Sequence, residues 1–510
     1  MPNMSGTDAF VVAVDQGTSS TKAIVVDPSG HTVSTASVPL GQRHPQSGWV
    51  EQDPQEILDS VIAAITQALA SVDGHVASVG LSTQRESAVI WDTSTGQPLG
   101  PVLGWQDRRT ADAARKLNDA GHGERVRRIT GLPIDPMFSA LKFAWLLDQV
   151  DPDRSKSAAG KIALGTVDSW LVYRLTGEHR IEAGNASRTL LLDVTSGRWD
   201  DEMLTLFGVP RAALPRVADS NEPTAPVVGV PALGEGVTIG AVLADSHAAL
   251  FGHGGREPGT VKVTYGTGSS VLGLLDEGAQ AGEGLVRTIA WSCGTPVLAS
   301  EGNILSTGAT LVWLADLLSL TPDDLAALAL TVDDAHGVAV VPAFAGLGAP
   351  WWDEAAQGLV TGITLGATAA HFAYAAFESI AFQIEDVLAA MDQSLPDDAG
   401  VRQILADGGP SSNAWLMQRQ ADLSQRTVRA SAAAGVSALG AAYLAGCTAG
   451  VWTDAQVVAF ARFGDEVVPQ LAAHDASARR TDWLEAVARA RGASATRTDQ
   501  EHSSLPPQRT

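Results

Sequence analysis

The sequence contains few cysteines, few aromatic residues and no long apolar run. Only two of its 510 residues are cysteines, Cys293 and Cys447, and their separation offers neither metal-ligand spacing nor a disulfide framework. No apolar run approaches the roughly 18 to 20 residues of a membrane-spanning helix. The first residues also lack the basic-then-apolar order of a signal peptide. We therefore expect a cytoplasmic protein that is not associated with a membrane.

Basic residues are also scarce. The chain has 34 Lys and Arg against 57 Asp and Glu, a formal net charge of −23. Nucleic acids and anionic membranes require a concentrated basic surface, so both are disfavoured as partners. The expected partner is a small molecule, and a homodimer is one assembly that the sequence leaves open.

The amino-terminal half alternates strands and helices. The β-branched runs at 10–14 and 22–27 predict the two strands of a hairpin. Residues 53–72 predict a helix in which Asp53 is the cap and Glu56 completes a capping box. Apolar residues then recur every fourth position on one face of that helix. The pattern predicts an α/β protein with mixed sheets.

The second half begins in a similar way. Residues 260–275 again predict strand, Gly/Thr/Ser turn and strand, and later helices are predicted at 371–393 and 413–424. A Gly-rich polar stretch at 250–258 is typical of a domain boundary. We therefore predict an amino-terminal domain over 8–252, a carboxyl-terminal domain over 253–490 and a disordered tail over 491–510.

Three Gly-rich turns, at 15–22, 265–270 and 407–413, are candidates for binding phosphate. Backbone N–H groups exposed at such turns suit phosphate oxygens, and glycine permits the close approach. None matches a Walker A loop or a dinucleotide fingerprint. Each alone fits an ordinary turn, but the three together favour a nucleotide site in a cleft between two domains.

Two polar positions beside apolar strands are candidates for chemistry. Arg85 and Glu86 are either a solvated charge pair or a clamp that donates to and accepts from vicinal hydroxyls. Asp245 follows an apolar strand and is either a helix cap or a general base. Composition alone leaves both alternatives open.

Long segments along nearly the whole chain, from about residue 8 to 455, resemble the FGGY carbohydrate kinases, closest to the glycerol kinase branch. The matching segments include DQGTSSTK, HPQSGWVEQDP, TQRESAVIWD, GWQDRRT, GLPIDPMFSALKFAWLLDQ, LGTVDSWLVYRLTG, NASRT, TYGTG, GAPWWD, DGG and ALGAAYLAG. Their number and order make the resemblance specific. It implies two ribonuclease H-like domains of the actin and sugar-kinase superfamily, with ATP and Mg²⁺ bound in the cleft between them.

The resemblance also implies roles for individual residues. Nucleotide contacts would come from Gly17, Thr18, Ser19, Ser20, Lys22, Gly266, Thr267, Gly268, Gly308, Val312, Gly409 and Asn413. The acceptor site would contain Arg85, Glu86, Trp105, Met137, Asp245, Ser246 and Ser270. Asp245 would be the general base, and Asp15 and Asp245 would hold Mg²⁺ through water.

Several of these positions depart from the glycerol kinase pattern. Met137 stands where the branch has tyrosine, Ser270 where it has phenylalanine, and Ser246 followed by His247 where it has glutamine after the aspartate. Val312 replaces a glutamine near the nucleotide, and Lys22 replaces an arginine. Two of the three acceptor-site changes are large-to-small, which widens the predicted pocket.

These features predict a kinase that transfers the γ-phosphate of ATP to a hydroxyl of a polyol or sugar. The widened pocket favours an acceptor larger than glycerol, such as a four- or five-carbon polyol or a ketose. The alternative is a true glycerol kinase, in which backbone shifts refill the space. A nucleotide-dependent regulator or scaffold without turnover is a further alternative.

Overall fold

The computed structural model describes residues 9–395 and 400–502, with side chains up to residue 492. The chain forms two compact units, and both are discontinuous in sequence. The first unit comprises the chain up to Arg256, Val286–Ala299 and Ala433–Ala461. The second comprises Glu257–Leu285, Ser300–Ala432 and the chain from Arg462 onward. The sequence predicted a single boundary, whereas the structure returns two later segments to the first unit.

Strands occur throughout both units. In chain order they are β1 (Ala9–Gln16), β2 (Ser20–Val26), β3 (Thr32–Pro39), β4 (Glu51–Gln52), β5 (His75–Thr83), β6 (Val89–Asp92), β7 (Val102–Leu103), β8 (Ile162–Gly165), β9 (Arg180–Glu182), β10 (Leu192–Asp193), β11 (Arg198–Trp199), β12 (Arg216–Ala218), β13 (Ile239–Ala244), β14 (Thr260–Tyr265), β15 (Ser269–Leu274), β16 (Val286–Ser292), β17 (Pro296–Ile304), β18 (Ala339–Val341), β19 (Leu359–Thr361), β20 (Gln403–Asp407), β21 (Thr427–Ser431) and β22 (Phe463–Val467).

The helices are α1 (Pro54–Leu69), α2 (Ala111–Asp119), α3 (Gly123–Thr130), α4 (Ser139–Val150), α5 (Ser155–Ala158), α6 (Val167–Thr176), α7 (Ala183–Ala186), α8 (Asp201–Phe207), α9 (Asp245–Gly252), α10 (Gly308–Leu318), α11 (Pro322–Ala329), α12 (Ala369–Asp392), α13 (Ala414–Ser424), α14 (Val436–Thr448), α15 (Asp454–Phe460) and α16 (Ala473–His502). Short 3₁₀ turns lie at Arg211–Ala213, Pro231–Leu233 and Gly409–Ser412.

The sheet of the first unit has the order β13-β5-β1-β2-β3. Its centre is the predicted hairpin, in which β1 and β2 are antiparallel and Asp15 lies opposite Lys22. Strand β5 then pairs in parallel with β1. Residues 11–14 of β1 are fully buried, because an apolar run without alternation suits a strand covered on both faces.

Helix α1 covers this sheet through the predicted apolar face, with Ile57, Val61 and Ile65 buried. Asp53 caps it by accepting the backbone N–H groups of Gln55 and Glu56. The Glu56 carboxylate accepts a hydrogen bond from Arg43 at 3.3 Å. Helix and cap therefore follow the sequence prediction. The Glu56 carboxylate pairs with Arg43 and not with the backbone N–H of Asp53, so the predicted capping box is not formed.

The second unit repeats this arrangement around β14 and β15. These strands are antiparallel, and β20 pairs in parallel with β14, as β5 does with β1. These strands lie in the run β15-β14-β20-β21-β22 of a seven-stranded sheet. The predicted helices at 371–393 and 413–424 correspond to α12 and α13. The two halves therefore share their strand topology as well as the similar sequence pattern.

Glycines let α14 pack closely behind the first sheet. A Cβ added to Gly440 would lie 1.8 Å from the Ala248 carbonyl oxygen of α9, and one added to Gly80 would lie 2.2 Å from the Ala441 carbonyl oxygen of α14. Helix α9 begins at Asp245, so the position of this candidate base depends on backbone contacts that only glycine permits.

The described part of the chain contains no helix that is both long and apolar enough to cross a membrane. Helix α16 continues past residue 491, where the sequence predicted the start of a disordered tail. Residues 503–510 of that predicted tail lie outside the described residues.

Replacing Gly440 with alanine should test the packing of α14 on α9. We expect Gly440→Ala to lower the free energy of unfolding by about 1–3 kcal/mol, since overpacking outweighs the better helix propensity of alanine. Chemical denaturation measures this change. Gly41→Ala is the matched control, because a Cβ there meets no heavy atom within 4 Å. Equal stability of the two variants would contradict the packing argument.

Candidate active site

The first Gly-rich turn joins β1 to β2 and is closed by its own backbone. The Gly17 N–H donates to the Ser20 carbonyl at 3.0 Å. From outside the turn, the Gln52 side chain donates to the Thr18 carbonyl at 2.9 Å, and the Trp105 indole donates to the Thr18 hydroxyl at 3.1 Å. Ser19 is exposed. The turn is thus a supported hairpin turn whose Thr18 hydroxyl connects it to Trp105.

Three buried glutamines support this turn, and the sequence analysis did not identify them. The Gln84 amide donates to the side-chain oxygens of Gln16 at 3.2 Å and Gln52 at 3.0 Å. Gln16 in turn donates to the Gly17 carbonyl at 2.7 Å. Gln16 ends the apolar strand β1 and Gln84 directly follows β5, so position was the available signal for these two. Gln52 ends the two-residue strand β4 and had no such signal.

Asp15 lies at the end of β1 and accepts a hydrogen bond from Ser82 at 3.1 Å. Burial and the negative charge of Asp245 raise the pKa of Asp15 to about 6, against the opposing effects of Ser82 and Lys22. Asp15 and Asp245 are therefore close enough to repel each other. Such a pair of carboxylates is stabilised by a cation.

Arg85, Glu86 and Asp245 converge in the first unit. The Arg85 Nε lies 3.3 Å from the Asp245 carboxylate and 3.7 Å from the Glu86 carboxylate. Arg85 and Glu86 are buried, with 8% and 4% of their surface exposed. They are therefore not a solvated charge pair, which was one of the two alternatives from the sequence. The Asp245 side chain is 39% exposed and can be reached by a ligand.

Glu86 is fixed through both its backbone and its carboxylate. Its φ of +59° is in the left-handed region, and the Ser139 hydroxyl donates to its carbonyl at 3.0 Å. The Arg188 guanidinium, fully buried, donates to the Glu86 carboxylate at 2.7 Å. Arg188 belongs to the segment NASRT, but its role had no signal in sequence alone.

Asp245 is the first residue of α9, and Ala244 occupies the cap position. The structure therefore does not support the helix-cap alternative. The Asp245 carboxylate accepts the Ser246 backbone N–H at 2.6 Å. Ser246 is half-buried beside it, and the fully buried His247 follows.

Met137 is half-buried at the start of the segment leading into α4, and both of its backbone polar groups are bonded. The Met137 N–H donates to the Asp135 carboxylate at 2.7 Å, and the Lys142 ammonium donates to the Met137 carbonyl at 2.5 Å. The backbone at this position is therefore held on both sides.

In the second unit, the turn Gly266–Gly268 joins β14 to β15 and contacts the start of α10. The Gly308 N–H donates to the Gly266 carbonyl and the Thr307 N–H to the Thr267 carbonyl, both at 2.9 Å. A Cβ on Gly308 would lie 2.5 Å from the Gly266 carbonyl oxygen. Gly308 is thus required for this close approach.

The third turn packs on the same place. Gly408, at a φ of +92°, would bring a Cβ to 2.0 Å from the Tyr265 carbonyl oxygen, whereas Gly409 faces open space. Asn413 caps α13 by accepting the Leu416 N–H at 2.9 Å. Its side-chain oxygen therefore has a structural use in addition to the predicted nucleotide contact.

The remaining predicted residues of this unit lie on β15 and α10. The Ser270 hydroxyl lies 3.5 Å from the carboxylate of the fully buried Glu301. Val312 is 51% exposed on α10. In the first unit, Lys22 is exposed on β2. Each unit therefore contains some of the predicted site residues.

Behind α9 lies a group of buried polar residues that sequence analysis also missed. Glu182 accepts hydrogen bonds from Ser220 at 2.6 Å and from the Asn185 N–H at 2.8 Å. A Cβ on Gly184 would lie 2.9 Å from both the Glu182 carboxylate and the His247 Nδ1. Burial raises the pKa of Glu182 to about 7.

Comparisons with known proteins identify the family of the chain. The profile of the FGGY family of carbohydrate kinases, N-terminal domain, matches residues 10–252, and that of the C-terminal domain matches residues 261–449. A glycerol kinase from Aromatoleum aromaticum is 43% identical over 498 residues, 95% of this chain and 99% of its own.

Two solved structures have the same fold. A Plasmodium falciparum glycerol kinase with ADP has a TM-score of 0.89 and 26% identity, covering 95% of this chain and 98% of its own. A ligand-bound xylulose kinase from Lactobacillus acidophilus has a TM-score of 0.86 and 20% identity, covering 96% and 98%. The latter likeness concerns the fold alone.

Fold and comparisons together define a two-domain α/β kinase fold of the sugar-kinase type. The chain belongs to the FGGY family of carbohydrate kinases and is a phosphotransferase with an alcohol group as acceptor. The predicted family, fold class and enzyme class are confirmed.

Glu182→Gln should reveal the raised pKa of this carboxyl. Because the folded-state pKa is near 7 and the ordinary value is 4.5, the folded protein binds the extra proton between these values. The contribution of Glu182 to stability is therefore present below pH 4.5 and is lost as pH rises through 7. We expect the stability of the wild type relative to Glu182→Gln to fall by about 2 kcal/mol from pH 5 to pH 8.

Urea unfolding of both proteins at the two pH values measures this difference. Glu235→Gln, at an exposed position, is the control and should show no such change. A pH-independent difference for Glu182→Gln would contradict the assignment.

Proposed function

We propose that the protein is an ATP-dependent glycerol kinase. The observation that carries the proposal is the accessible Asp245 carboxylate, which lies 3.3 Å from the buried Arg85 guanidinium with Glu86 adjoining. Glycerol kinases about 43% identical over nearly the full chain also support it. They favour the alternative acceptor, glycerol, over the larger acceptor that the sequence favoured.

The three side chains suit a polyol. Arg85 donates and Glu86 accepts, which are the two functions that a pair of neighbouring hydroxyls requires. Asp245 takes the proton of the reacting hydroxyl as its oxygen attacks the γ-phosphorus, and ADP leaves. Most of the remaining task is alignment, and the fixed positions of Arg85 and Glu86 provide it.

The nucleotide would be held by the hydroxyl-rich turn at Thr18–Ser20 in the first unit and by Gly266–Gly268, Gly308 and Gly409 in the second. Mg²⁺ usually binds through one or two carboxylates together with phosphate oxygens and water. Asp15 fits this ion, because burial and the neighbouring Asp245 charge both raise its pKa, and a cation would offset that charge. The ion would neutralise charge on the phosphate oxygens.

A larger acceptor is the second candidate, and the fixed backbone at Met137 favours it. Hydrogen bonds on both sides of this residue restrict a backbone shift that would refill the volume of the absent tyrosine ring. Ser246 is also smaller than the glutamine of the glycerol kinase branch. A four- or five-carbon polyol would then fill the space.

Asp245→Asn should keep acceptor binding and lose turnover. The amide has nearly the shape of the carboxylate but is a far weaker base, so we expect kcat to fall by at least about 10²-fold. Steady-state kinetics with saturating ATP and Mg²⁺ measure the loss, and calorimetry measures acceptor binding. Near-wild-type turnover in Asp245→Asn would end the assignment of the base.

An acceptor panel distinguishes the candidate functions. We expect kcat/KM to be highest for glycerol among glycerol, erythritol, threitol, xylitol and xylulose. A preference for a longer acceptor would support the second candidate instead. ADP formation that does not depend on any acceptor would contradict both and would favour a regulator or scaffold.

A further inference from the structure

Three residues proposed to contact the acceptor come from three separate segments of the first unit. Glu86 follows β5, Trp105 follows β7, and Met137 precedes α4. None of these segments is regular at the residue concerned. Something must therefore fix them relative to one another, since a displacement near 1 Å can reduce a rate about 10²-fold.

The first turn of α4 contacts all three segments. Ser139 and Lys142 are three residues apart and so share one face of the helix. The Ser139 hydroxyl donates to the Glu86 carbonyl at 3.0 Å. The Lys142 ammonium donates to the Met137 carbonyl at 2.5 Å and to the Gly104 carbonyl, directly before Trp105, at 3.2 Å.

Lys142 is fully buried, which is an expensive location for an ammonium group. Burial lowers the pKa of Lys142 to about 7, and the negative charges of Glu86, Asp107 and Asp135 oppose this shift. A buried lysine is seldom kept for stability alone, because an apolar side chain of similar volume is often as stable. Its carbonyl partners indicate what the group does here.

We propose that Lys142 is a positioning residue for the acceptor site: it ties the backbone before Trp105 to the backbone of Met137 and so sets the width of the pocket between them. This inference rests on the proposed function and deepens it. Lys142 itself touches neither acceptor nor nucleotide in this role. It acts through the two carbonyl groups that it holds.

Lys142→Met removes both hydrogen bonds and the charge while keeping a side chain of similar length. We expect KM for the acceptor to rise about 10-fold or more and KM for ATP to change less than about twofold. We also expect weaker discrimination between glycerol and xylitol, because the width of the pocket is no longer fixed. The full-length protein is assayed with ATP and Mg²⁺, and thermal unfolding is recorded in parallel.

Lys262→Met is the matched control. Lys262 is also buried, at 1% exposure, but lies on β14 of the second unit. Removing it should leave KM for the acceptor unchanged. An equal rise of acceptor KM in both variants would attribute the effect to the loss of any buried lysine and would overturn the proposal.

Lys142→Gln keeps a neutral hydrogen-bond donor and provides a second test if Lys142→Met does not fold. An acceptor KM that is higher than that of the wild type by less than tenfold, with KM for ATP unchanged, would support the proposal. A change in thermal stability without a change in acceptor KM, or equal changes in both KM values, would overturn it. If the wild type phosphorylates no acceptor, the proposed function fails instead, so the two failures are distinguishable.

Discussion

A guanidinium and a carboxylate that are shielded from water must be paired, and this constraint organises the proposed acceptor site in the first unit. Glu86 lies between two buried arginines, with the Arg188 Nε at 2.7 Å and the Arg85 Nε at 3.7 Å. Removing one partner would leave a buried charge without compensation, which is strongly destabilising. The left-handed backbone at Glu86 is therefore maintained by interactions on both its side chain and its carbonyl. A clamp of this rigidity presents its remaining polar atoms to a ligand without rearrangement.

The two units share one arrangement of strands around the turns proposed to bind phosphate. In each, an antiparallel hairpin continues into a sheet through a parallel neighbour, and its turn carries glycine and hydroxyl residues. The supports of the two turns differ. Side chains, mainly Gln52 and Trp105, hold the turn after β1, whereas backbone groups of Thr307 and Gly308 hold the turn after β14. Side-chain support joins the first turn to Trp105, a residue proposed for the acceptor site, and backbone support makes the second turn depend on glycine.

Local signals in the sequence predicted the elements that local interactions determine. The hairpins, α1 with its Asp53 cap and the long α12 follow from β-branched runs, a capping residue and helical periodicity. Long-range contacts were not predictable in this way. The return of Ala433–Ala461 to the first unit depends on the close approach of Gly440 to Ala248, which no single stretch records.

The candidate site shows the same division. Asp15, Arg85 and Asp245 could be singled out because each stands at the end of an apolar strand or begins a helix. The residues that fix them could not. Lys142 and Arg188 lie within segments that resemble ordinary amphipathic sequence, and only their partners, two carbonyls and a carboxylate, distinguish them from surface cations. Their burial is a property of the fold, and burial is what makes a positive charge informative here.

Acceptor choice is the feature least constrained by overall similarity. An added or missing methylene in a pocket changes discrimination by about 1–3 kcal/mol, so two or three side chains are sufficient to alter it. The backbone at Met137 is bonded at both its N–H and its carbonyl, so a change in space at this position comes mainly from the side chain. At Ser270 the hydroxyl faces the buried Glu301 carboxylate, which orients it within the second unit. Under the proposed function, a chain 43% identical to a glycerol kinase can therefore keep the proposed phosphate turns and base while individual side chains such as Met137 set the size of its acceptor.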